Sequence, residues 1–227
     1  MGNWTPKLQS LLGLFLESNC PLCQRPTAEI FCRDCQRQIQ RCQLPNSAPF
    51  GQGQLPVFAW GLYGGTLKRA IAVLKYDNQP QIARPLGHWL AQSWLASPLR
   101  QAVPRSVTKL TVVPIPMHAA KQQQRGYNQA ELLAQSFCEV TGLPLQLQGL
   151  QRVRATEAQF NLSVAAREQN LTDAFSLGKG LRQHRASDAV LLLDDIYTTG
   201  ATARAAMHTL RQQGIAVYGL AAVAQAR

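Results

Sequence analysis

Val190-Leu-Leu-Leu-Asp194-Asp195-Ile-Tyr-Thr198-Thr199-Gly200-Ala201-Thr202 is the stretch that decides the fold class. The apolar run from Ala189 to Leu193 is continuous rather than alternating, as in a strand buried on both faces of a parallel sheet. It ends in two adjacent carboxylates. A small, hydroxyl-rich turn then opens a helix from Gly200 to Gln213, closed by Gly214. These polar groups therefore gather at the carboxyl edge of the sheet, where open α/β sheets bind ligands. Unpaired N–H groups of the glycine turn, the positive end of a helix dipole and the threonine hydroxyls make a cradle for phosphate. Asp194 and Asp195 do not favour phosphate, but they suit sugar hydroxyls, or a divalent ion bridging sugar and phosphate. A phosphorylated ribose satisfies both halves.

The same alternation of elements extends outward from this segment. A strand is expected near Val57 to Tyr63, helices over Thr66 to Lys75 and Gln81 to Leu95, and a β-branched strand from Leu110 stopped by Pro114 and Pro116. A loop, an amphipathic helix from Asn128 to Val140 ending before Gly142, and a last strand from Ile215 to Val223 complete the pattern. Strands separated by helices predict an α/β fold with a parallel-sheet core and flanking helices over residues 57–227. Residues 46–56, rich in Pro, Gly, Asn and Ser, read as a linker.

Residues 1–45 form a different unit. Cys20-Pro-Leu-Cys23 and Cys32-Arg-Asp-Cys35 are two CxxC knuckles eight residues apart, the spacing of a four-thiolate structural zinc site. So short a segment buries little, and binding the ion is expected to fold it. Cys42 and Cys138 are spare thiols. Cysteines grouped in this way indicate a reducing, cytoplasmic compartment, and no stretch approaches the length that inserts in a membrane. The chain carries 23 Lys and Arg against 12 Asp and Glu, a net charge of +11 that favours phosphate-rich partners. Arg25, Arg33, Arg37 and Arg41 on the cysteine module fit either a nucleic-acid contact or a solvated surface.

The thirteen residues from Val190 to Thr202 resemble the 5-phosphoribosyl 1-pyrophosphate (PRPP) motif of type I phosphoribosyltransferases. That resemblance implies Asp194 and Asp195 at the ribose and Thr198, Thr199, Gly200, Ala201 and Thr202 at the 5-phosphate, with Mg²⁺ accompanying PRPP. The likeness widens to the ComF family, which includes GntX-like members. The paired knuckles, Leu74-Lys75-Tyr76, Val113-Pro-Ile-Pro116, Arg125-Gly-Tyr-Asn-Gln129, Arg152 with Thr156 and Gln159, Arg167 with Asn170, and the PRPP motif occur in that family's order. It implies a type I phosphoribosyltransferase fold with a hood segment. Lys75 joins the PRPP contacts, and Lys121, Arg125 and Gly126 lie on a pyrophosphate-side loop that is mobile until ligand binds. Thr156, Gln159 and Arg167 lie in the hood that chooses the acceptor. The segment from Lys121 reads Lys-Gln-Gln-Gln-Arg, and relatives commonly carry further bases near Ala120 and Gln123, so fewer cations face the pyrophosphate here.

Several functions stay open on this reading. A phosphoribosyltransferase would have Asp194, Asp195 and Arg125 as its catalytic residues and an acceptor that the sequence does not name. The family likeness implies service in DNA uptake for natural transformation, with single-stranded DNA and uptake proteins as partners. A PRPP-sensing or DNA-binding protein without turnover, and a GntX-like metabolic role, are the alternatives.

Overall fold

The computed structural model describes residues 18–45, 55–154, 174–183 and 185–226. The core is a four-stranded parallel sheet in the order β3-β8-β7-β4, with β3 Val57–Leu62, β4 Lys109–Pro114, β7 Asp188–Tyr197 and β8 Ala216–Gln225. Central β7 carries the apolar run and the acidic pair, paired to β4 over Asp188–Leu193 and to β8 over Ala189–Tyr197.

Two apolar layers cover the sheet. Helices α2 Gly65–Tyr76, α3 Ala83–Leu95 and α6 Gln129–Thr141 pack on one face through Leu67, Ile71, Leu90, Leu133 and Phe137, against Ala189, Leu191 and Leu193. Helix α7 Ala201–Gln212 packs on the other through Ala206, Met207 and Leu210, against Val190 and Leu192. A short antiparallel pair, β5 Leu150–Arg152 with β6 Phe175–Leu177, lies on that second face. The chain thus leaves β4 toward α6 on one face and leaves its neighbour β7 toward α7 on the other. Adjacent strands whose connections diverge in this way open a crevice at their carboxyl ends.

The expected strands and helices of the sheet domain are all present, with ends shifted by up to three residues. One expectation is corrected. The segment between Pro116 and Asn128, read as a loop, contains helix α5, Ala119–Arg125. His118 Nδ1 accepts from Ala120 N–H at 3.3 Å, Ala-Ala-Lys-Gln-Gln-Gln-Arg are strong helix formers, and Gly126 closes the helix in the left-handed region at φ 85°. No residue of α5 is buried, so no apolar periodicity announced it.

The cysteine module, with β1 Ser18–Asn19, β2 Pro26–Thr27 and α1 Arg33–Gln40, packs directly on the first apolar layer. Phe31, Trp89 and Trp60 stack in series with centroids 6.1 and 5.7 Å apart, carrying the contact from the module through α3 to β3. Short α4, Pro98–Gln101, follows α3. Among the described residues, no helix is long and apolar enough to cross a membrane.

Candidate functional site

Side chains alternate along a strand, so neighbours in sequence face opposite sides of the sheet. Asp195 continues the row Ala189, Leu191, Leu193 toward α2, whereas Asp194 continues the row Val190, Leu192 toward α7 and the β5–β6 pair. Two cations act on the pair. Lys75, at the end of α2, places Nζ 2.7 Å from Asp195 Oδ2, with both side chains largely buried. The charge of Lys75 also reaches Asp194, and Arg152, at the end of β5 on the other face, adds a smaller pull. Its guanidinium lies 5.5 Å from the Phe175 ring centroid.

Burial first, and the Asp195 charge second, push Asp194 up to about 8, against the opposing pull of the Asp195 N–H, Lys75 and Arg152. The N–H of Asp195 donates to Asp194 Oδ1 at 2.8 Å.

Beyond β7 the chain makes the expected turn. Thr198 and Thr199 are exposed, and Gly200 is buried at φ 77°, the left-handed conformation that only glycine takes without strain. A side chain there would also collide, since a Cβ would sit 2.6 Å from Tyr197 Oη and 2.9 Å from Arg204 Nη1. Ala201 and Thr202 begin α7, whose first N–H groups lack intrahelical partners. The turn has the form of an anion cradle.

The end of α2 also organises the opposite wall. Leu74 O accepts from Tyr127 Oη, Lys75 holds Asp195, and the Tyr76 ring lies 5.4 Å from the Arg125 guanidinium. Arg125 donates to Gln129 Oε1, and Asn128 caps α6 through Ala130 N–H at 3.0 Å while donating to Ile115 O at 3.3 Å. Thus the end of α2, which carries Lys75, lies beside the end of α5, which carries Arg125, and Lys121 is exposed on α5. Thr156, Gln159 and Arg167 lie outside the described residues.

The four module thiols converge separately. The Sγ atoms of Cys20, Cys23, Cys32 and Cys35 all lie within 4.8 Å of one another, and a tetrahedral ion ~2.3 Å from each sulfur would hold them about 3.8 Å apart. The donor set therefore fits a metal ion. Hydrogen bonding from Arg25 draws the Cys23 thiol down to about 6, whereas burial pushes the Cys35 thiol up.

Sequence reading missed the charge partnership of Arg152, because a three-residue strand carries too short a pattern to announce what it faces. Arg204 was also missed. Its place one helical turn after Gly200 was a usable signal, because helical side chains lean toward the N-terminus.

No family model matches the chain. It is 36% identical over 166 residues to competence protein F of Haemophilus influenzae, covering 71% of this chain and 70% of that one. It is 28% identical over 219 residues to DNA utilization protein YhgH of Salmonella typhi, covering 87% and 92%. To competence protein ComFC of Bacillus subtilis it is 26% identical over 197 residues, covering 86% and 72%.

Proposed function

Because this chain belongs to the ComF family of competence proteins, we propose that it is a cytoplasmic PRPP-binding protein with a phosphoribosyltransferase-type domain, acting in DNA uptake for natural transformation. The observation that carries the reading is the meeting, at one sheet edge, of the Asp194–Asp195 pair with the Gly200 turn. Carboxylates accept from sugar hydroxyls and the turn donates to phosphate, so their adjacency matches a ribose 5-phosphate.

On this reading Asp194 and Asp195 hold the ribose, residues 198–202 hold the 5-phosphate, and Lys75, Lys121, Arg125 and Gly126 serve the pyrophosphate side. Mg²⁺ bound with PRPP supplies charge neutralisation on the pyrophosphate oxygens. Thr156, Gln159 and Arg167 are the residues for an acceptor. In transfer, the bond from ribose C1 to pyrophosphate breaks as the acceptor bonds to C1. Such a reaction rests on orientation and electrostatic stabilisation and needs no protein nucleophile. Zinc on the four cysteines supplies structure, since four protein sulfurs leave no open position.

Calorimetric titration of PRPP with Mg²⁺ tests this, using wild type and a folded Asp194→Ala/Asp195→Ala variant. Wild type is expected to bind and the variant not to. Absence of binding by wild type at millimolar PRPP sinks the reading.

The net charge of +11 supports a second activity, binding of single-stranded DNA. It requires an affinity that falls steeply as salt rises, because neutralised phosphates release counterions.

A further inference from the structure

We infer that Arg204 is a positioning residue for the phosphate turn: by holding the Thr199 carbonyl it sets the Thr199–Gly200 peptide so that the Gly200 N–H faces the phosphate. The inference rests on the PRPP reading and deepens it. Arg204 Nη1 donates to Thr199 O at 2.8 Å, while the Arg204 backbone N–H makes the first helical bond of α7 to Gly200 O at 2.8 Å. One residue therefore grips two consecutive carbonyls of the turn, one by its side chain and one by its main chain.

In a planar trans peptide the carbonyl and the following N–H point in opposite directions. A guanidinium fixed on the Thr199 oxygen consequently turns the Gly200 N–H away from itself. Gly200 is the natural weak point of the turn, since glycine loses more conformational freedom on ordering than any other residue. Tyr197 confines it as well, because the phenol oxygen and Arg204 Nη1 both crowd the position a Gly200 side chain would take. A turn whose amide directions are set before the ligand arrives binds more tightly than one that must be ordered by it.

The test uses the full-length, metal-loaded protein with ribose 5-phosphate and inorganic pyrophosphate as separate probes. Arg204→Met keeps length and apolar packing but removes the donor, and Arg204→Lys restores a donor. The expected result is roughly tenfold weaker ribose 5-phosphate binding in Arg204→Met, the scale of one charge-assisted hydrogen bond. Pyrophosphate affinity stays unchanged, Arg204→Lys recovers part of the loss, and the Gly200 amide proton resonance moves in ligand-free Arg204→Met. Unchanged ribose 5-phosphate affinity, or equal loss of both probes, overturns the inference alone. If wild type binds neither probe nor PRPP, the underlying reading falls and the inference falls with it.

Discussion

Lys75 Nζ stands 2.7 Å from Asp195 Oδ2, so the last turn of α2 and the end of the central strand are joined by an ion pair largely shielded from water. Removing only one partner leaves a buried charge uncompensated. Lys75→Met is therefore expected to cost about 3 kcal/mol of stability. Lys75→Met/Asp195→Asn is expected to recover most of that. Urea unfolding of the two single variants and the double variant measures the coupling, and strict additivity would show that the pair contributes nothing.

Asp194 gives stability a distinct pH dependence. Its carboxyl lies near 8 in the folded protein, while an unfolded aspartate titrates near ~4. Between those values the folded state holds a proton that the unfolded chain lacks, so this group's contribution to stability declines as pH rises. Asp194→Asn removes that decline. The variant is expected to melt above wild type at pH 8, with the gap closing toward pH ~4; parallel melting curves at both ends would contradict it.

The metal module offers a test by substitution. Cys20, Leu22, Phe31, Cys35 and Ile39 share one buried cluster with Trp60 and Leu67. Cys20→Ser is expected to abolish retention of one metal ion per chain and to change tryptophan fluorescence as the Phe31–Trp89–Trp60 stack loosens. Cys42→Ser and Cys138→Ser keep the ion, because neither thiol belongs to the converging set. Metal analysis after gel filtration distinguishes these outcomes.

Helices α3 and α6 cross at Gly87, where an added Cβ would lie 2.7 Å from Ser136 Cβ and 2.8 Å from Leu133 O. Alanine normally favours a helix over glycine by ~1 kcal/mol. Gly87→Ala is nevertheless expected to destabilise by about 2 kcal/mol, because overpacking at a backbone contact outweighs propensity. Thermal denaturation reads the sign directly.

The parts of the molecule legible in the sequence were those written in local pattern. The apolar run into Asp194-Asp195 identified a buried parallel strand, the glycine turn identified the helix that follows it, and the CxxC spacing identified the thiols that converge. Helix α5 was not legible, because a helix that buries no residue needs no apolar stripe and the prolines before it suggested a loop. Neither was the β5–β6 pair, whose three-residue strands are too short to establish an alternation.

By itself, the sequence determined which polar and thiol side chains stand together along one element, since side-chain type and spacing along one element are local properties. Only the tertiary structure decided how their charges are partnered. Two adjacent aspartates look equivalent in a string of letters. The pleat sends them to opposite faces, Lys75 from 120 positions upstream pairs with Asp195, and the charges of Lys75 and of Arg152 from another element both act on Asp194. That division depends on which helix and which hairpin cover each face of the sheet, and packing over long sequence separations alone sets it.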